Sequence, residues 1–123
     1  MATLRKTILA NDQFYHIFNR GVEKRDIFTD KREYKRALGT LKYYQYRNLA
    51  IKFSKFLVQT PQNQEKILTQ IVKPGNKLVD IVSFCLMPNH FHFLIKQLSD
   101  NGISTFIANF TNSYTKYFNT KHD

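Results

Sequence analysis

A single cysteine in 123 residues, Cys85, leaves no internal disulfide to form. Lying inside an apolar run, it reads as a small buried hydrophobe, the usual fate of a free thiol. Acidic side chains are scarce too: nine Asp and Glu face nineteen Lys and Arg, a net charge of +10. So basic a chain repels itself when compact, and the commonest use of such charge is a polyanionic partner. No apolar run approaches the roughly 18 residues needed to cross a bilayer. The opening MATLRKTILANDQ lacks the apolar core of a signal peptide. The expected location is therefore cytoplasmic, with no membrane partner. There is no internal repeat and no low-complexity tract.

Hydrophobic residues at 42% and aromatics at 15% suffice for a core, so the chain is expected to fold as one domain over 1–123. The charge is uneven. Residues 1–77 hold 16 basic and 6 acidic side chains, whereas residues 78–123 hold three of each. Such a chain can grip a backbone with one part and work on it with another.

Residues 13–19 (QFYHIFN) are aromatic and β-branched, as in a strand, and Gly21 supplies a turn after Arg20. Asp30 then offers an N-cap, with Glu33 at capping-box spacing. Tyr34, Ala37, Leu38, Leu41 and Tyr44 recur with helical period to about Tyr46, with Lys31, Arg32, Lys35 and Arg36 on the solvent side. Residues 47–77 read as an insertion of low intrinsic order, with loop-formers at 61–64 and 73–76 and one short helix around Ile67, Leu68 and Ile71. Residues 78–86 and 90–96 form two strands about a Met87-Pro88-Asn89 turn. Asn101-Gly102 breaks the chain. Ser104 then caps a helix whose apolar stripe is Ile103, Phe106, Ile107, Phe110, Tyr114, Tyr117 and Phe118. This order implies an α+β sandwich, one antiparallel sheet with helices on one face and the other face open.

The sharpest chemical feature is His90-Phe91-His92. In a strand the two histidines share a face, about 6–7 Å apart along the chain, where neutral imidazoles can converge on one divalent ion. An isolated H-x-H equally describes two half-exposed sheet histidines. His16, on the face of Phe14 and Phe18, reads either as a satisfied sheet histidine or as a group near metal or phosphate. Arg20 and the Lys31, Arg32, Lys35 and Arg36 group read either as phosphate contacts or as solvated surface. Tyr114 and Tyr117 lie on the apolar stripe, which assigns them to packing. Asn119 reads as a helix-end residue or as a group that orients a ligand.

The wider pattern is more specific. LMPNHFHFL at 86–94, YHIFNRG at 15–21, NGIS at 101–104 and YTKYFN at 114–119 occur in an order that resembles the single-tyrosine transposases of the HUH superfamily. The branch associated with repetitive extragenic palindromes is the most similar. The resemblance covers most of the chain outside the insertion. It implies a ferredoxin-like or RRM-like sheet and a divalent cation, Mg²⁺ or Mn²⁺, held by His90, His92 and a third polar side chain. It also implies single-stranded DNA, commonly a hairpin, as ligand, homodimers, and residence on the nucleoid. In such proteins a tyrosine attacks a scissile phosphate polarised by the metal, leaving a 5′-phosphotyrosine and a free 3′-OH. That tyrosine usually lies in a helix reading Y-I-x-x-N-P, whose Asn is the third ligand. No such motif occurs here, so the nucleophile is expected beyond Asp123, with Tyr114 as the only fallback.

Two other functions compete. A non-catalytic RRM-like module would bind single strands by stacking and phosphate contacts, and it forms no covalent adduct. A histidine-triad hydrolase needs a third alternating histidine, where Leu94 stands.

Overall fold

The computed structural model describes residues 8–20 and 25–122, with Arg20 described by its backbone only. The turn expected at Gly21 lies outside the described residues. In chain order the elements are β1 (Phe14–Arg20), α1 (Lys31–Tyr44), α2 (Phe53–Leu57), α3 (Pro61–Ile71), β2 (Val79–Met87), β3 (His90–Gln97) and α4 (Gly102–His122). The three strands form one antiparallel sheet in the order β1-β3-β2. The fold is α+β, a ferredoxin-like arrangement with one helix after β1 and another after the β2–β3 hairpin.

Alternation along β3 separates the two faces. Phe91, Phe93, Ile95 and Gln97 are buried, while His90, His92, Leu94 and Lys96 point the other way. α4 covers the buried face: Phe106 and Phe110 pack against Phe91 and Phe93 with ring centres 5.4–5.8 Å apart. The stripe Ile103, Phe106, Phe110, Tyr114 and Phe118 is buried as its spacing predicts. α1 lies against α4, and Phe28, just before α1, packs on Tyr114.

The start of α1 follows the expected cap, with one change of partner. Asp30 Oδ1 accepts from the Glu33 amide at 2.9 Å. The Glu33 carboxylate reaches past Asp30 to accept from the amide and hydroxyl of Thr29, both at 2.6 Å. Lys121 and His122, at the end of α4, meet the same carboxylate at 2.9 and 2.6 Å.

Region 47–77 is more ordered than its composition implies. It carries two helices rather than one, and Phe53, Phe56 and Ile71 join the core. Its two ends are clasped by Asn76, 4% exposed, whose side-chain amide donates to the carbonyls of Arg47 and Ile71. A polar residue in a loop-forming tetrapeptide thus closes the insertion, which propensity cannot reveal.

The start of α4 also differs from expectation. The helix begins at Gly102, not after Ser104. Asn101 takes the left-handed conformation (φ 58°), and Gly102 lets the helix approach the backbone of Leu78.

Candidate metal centre and nucleic-acid face

The uncovered face of the sheet collects the residues with chemistry. On β3 it presents His90, His92, Leu94 and Lys96, and on β1 Phe14, His16 and Phe18. Phe18 lies opposite His92, and the Arg20 backbone pairs opposite His90. β2 contributes through a bulge. Ile81 pairs with Ile95 but Ser83 with Leu94, so Val82 is an extra residue that inverts the alternation. Beyond it Ser83, Cys85 and Met87 face the open side, with Cys85 opposite His92. The expectation of a buried Cys85 is therefore corrected: the thiol is exposed. The apolar run suggested burial on both faces, whereas β2 is an edge strand with one face open.

The two histidines stand together as the alternation predicts. Their ring centres are 5.1 Å apart with planes at 83°. Phe18 stacks on His92 (4.7 Å, 13°) and meets the edge of His90 at 5.4 Å. His16 joins them, its Nε2 lying 2.9 Å from His92 Nδ1. His90 Nδ1 lies 2.7 Å from the side-chain oxygen of Asn89. Desolvation, with the neighbouring His16 and His90, pulls the His92 pKa below its ordinary value, which favours the neutral ring. Two imidazoles whose Nδ1 atoms are engaged and whose rings adjoin are a donor set that fits a divalent cation. Among the described residues no cluster of three or more His, Cys, Asp or Glu completes a ligand shell.

The other singled-out residues lie elsewhere. Lys31, Arg32 and Lys35 are exposed on α1, in the helical layer. Arg36 is half-buried, its guanidinium 4.5 Å from the Tyr117 ring centre and 5.3 Å from that of Phe53. It borders a groove of about 980 Å³ beside α4, whose walls also carry Arg47, Lys52 and Lys116, and Lys121, which is ion-paired with Asp30 and Glu33. Tyr114 is 4% exposed, donates its hydroxyl to the Ile27 carbonyl and has its pKa raised, chiefly by burial. It sits on the helical side of the sheet, away from the histidines. Asn119 is exposed near the end of α4. None of the seven tyrosines lies on the open face: Tyr15 points to the helical side of β1, and the rest belong to α1, the segment after it, or α4.

Composition and spacing found His90, His92 and His16 but missed Asn89, Phe18 and Cys85. Asn89 was legible only as a turn residue. Phe18 was already on the right face by alternation. Cys85 needed the bulge.

The chain that builds this sheet, with paired histidines on its open face, matches a known family along nearly its whole length. The family described as Transposase IS200 like matches residues 10–123. The chain belongs to the IS200-like transposase family. Transposition, and with it nucleic-acid cleavage and joining in general, is the activity class of that family. No curated protein and no solved structure matches the chain. No helix among the described residues is long and apolar enough to cross a membrane.

Proposed function

We propose that this chain is the metal-binding part of a transposase that cuts and rejoins single-stranded DNA, commonly as a hairpin, through a tyrosine nucleophile. The observation that carries the reading is the pair His90 and His92, adjacent on the uncovered sheet face of an IS200-like transposase. These two residues would hold the divalent cation, Mg²⁺ or Mn²⁺, with remaining ligands from oxygen donors. When bound, the cation supplies Lewis-acid polarisation of a phosphate oxygen. The chain's own residues do the rest. Phe14, exposed on the same face, offers a flat surface on which an unpaired base can stack. The cationic groove and the exposed Lys31, Arg32 and Lys35 hold phosphates on the helical side. With no tyrosine on the open face, the nucleophile has to be brought to the cation from another position or from a partner copy.

Homodimerisation fits the edges of the sheet. Among the described residues β2 has one unpaired edge, and beside it Val82 and Phe84 are 53% and 46% exposed. An apolar unpaired edge is a template for pairing with a second copy.

Calorimetric titration with Mn²⁺ tests the site. The parent chain is expected to bind, and a His90→Ala, His92→Ala double variant is expected not to. Equal binding by both proteins would remove the metal from this face. Incubation with labelled hairpin DNA and Mn²⁺, followed by denaturing electrophoresis, then separates binding from chemistry. This chain alone is expected to bind without forming a covalent adduct, and an adduct that disappears in Tyr114→Phe would make Tyr114 the nucleophile.

A further inference from the structure

A neutral imidazole has one lone pair to offer, and the hydrogen bond made by one ring nitrogen decides whether the other carries it. In this protein both candidate ligands have Nδ1 engaged. His90 Nδ1 lies 2.7 Å from Asn89 Oδ1. An amide oxygen only accepts, so His90 carries its proton on Nδ1 and its lone pair on Nε2. His92 Nδ1 lies 2.9 Å from His16 Nε2. The two ring planes differ by only 16° while the ring centres are 5.0 Å apart. Nitrogens so close between centres so far apart mean that the rings lie edge to edge, nearly coplanar. That is the geometry of an in-plane N–H···N bond, not of face-to-face stacking. Two neutral imidazoles can share the bond in either direction, but only with His16 accepting is Nε2 of His92 left with its lone pair.

We propose that His16 and Asn89 are positioning residues that hold His92 and His90 as their Nδ1–H tautomers, so that both Nε2 lone pairs are presented for one cation. The purpose rests on the metal-site reading above, whereas the tautomers belong to the metal-free chain. The fold supplies each partner differently. Asn89 comes from the hairpin turn, immediately before its histidine. His16 comes from the neighbouring strand: its direct partner is Leu94, and it reaches His92 diagonally, within range for long side chains on one face. Phe18, stacked on His92 and edge-on to His90, restricts rotation of both rings. Groups that fix a ligating imidazole in this way typically change metal affinity about 10–100-fold when removed.

Nitrogen-15 spectroscopy of the histidine rings tests the proposal on the metal-free full chain at pH 8, where protonated and unprotonated ring nitrogens resonate far apart. Expected are Nδ1–H forms for His90 and His92 in the parent. His16→Phe should shift His92 towards the Nε2–H form, and Asn89→Ala should do the same to His90. His16→Gln and Asn89→Asp, whose oxygens accept the same bonds, should keep the parental tautomers. Mn²⁺ affinity should fall about 10-fold or more in the Phe and Ala variants and largely persist in the Gln and Asp variants. An Nε2–H form of either histidine in the parent overturns the proposal, as do unchanged tautomers in both disruptive variants. Should either disruptive variant fail to fold, the parent spectrum and the conservative variants decide alone. A parent with the expected tautomers that binds no Mn²⁺ supports the positioning and overturns the metal site.

Discussion

Val82 is one residue out of step, and its place in the ladder decides where Cys85 points. Without the bulge, Ile81, Ser83, Cys85 and Met87 would share one face, and the thiol would enter the core. With it, Cys85 lies opposite His92 while Phe84 and Leu86 turn to the helical side. Gly102 is a second residue whose part is set by a neighbour. A Cβ added there would fall 2.2 Å from the Leu78 carbonyl oxygen, which also accepts from the amides of Leu98 and Ser99. Backbone on both sides cannot yield as a flexible side chain would. Gly102→Ala is therefore expected to destabilise the fold by about 1–3 kcal/mol, the usual range for overpacking. Urea denaturation checks this, and an unchanged midpoint would show that α4 can withdraw from the sheet freely.

At the scale of elements, α1 and α4 are tied where the start of one meets the end of the other. Burial by itself would raise the Glu33 pKa, but hydrogen bonds from Thr29, Lys121 and His122 outweigh it and pull the value down to about 2. A carboxylate whose folded pKa lies below its unfolded value of 4.5 contributes stability above that value. The contribution is lost as pH falls from about 4.5 towards 2. Asp30, lowered by its hydrogen bond with Lys121, acts in the same direction. Urea midpoints should therefore hold steady from neutral pH to about 5 and fall below it. Glu33→Gln should lower stability at pH 7 and remove much of that acid slope. A variant with the parental slope would place the acid sensitivity elsewhere.

At the scale of the whole molecule, among the described residues, the histidines and the clustered basic side chains sit on different sides of one sheet, although Lys96 shares the open face with the histidines. The histidines occupy the open face, while Lys31, Arg32, Lys35 and the groove of Arg36, Arg47 and Lys116 belong to the helical layer. Binding to a hairpin oligonucleotide should weaken steeply with salt. Reversing Lys31, Arg32 and Lys35 to Glu should lower both affinity and the salt slope, the slope by about one for each phosphate that is no longer neutralised. Arg36 is a poor choice for that experiment, because its guanidinium packs over two rings. An unchanged slope would transfer phosphate binding to the groove, with Arg47 and Lys116 the next residues to reverse. Sedimentation tests the edge of the sheet: Val82→Lys with Phe84→Lys should convert a dimer to monomer, and a dimer that persists would place the interface elsewhere.

Much of this protein is legible in one dimension because its periods are local. The period of two in HFHFLIK puts His90 and His92 on one face before any fold is known. The helical period of the last stripe buries Tyr114, and Asp30 caps α1 by a hydrogen bond three residues long. What the tertiary structure alone decided are relations between residues far apart in sequence. His16 meets His92 only because β1 pairs with β3. Cys85 reaches the open face only because β2 bulges against that same strand, and Asn76 is buried only because the two ends of the insertion return to one place. Local propensity acts over a few bonds of chain, whereas register, edge position and closure of a long loop are settled by which distant partners leave the fewest buried polar groups unpaired.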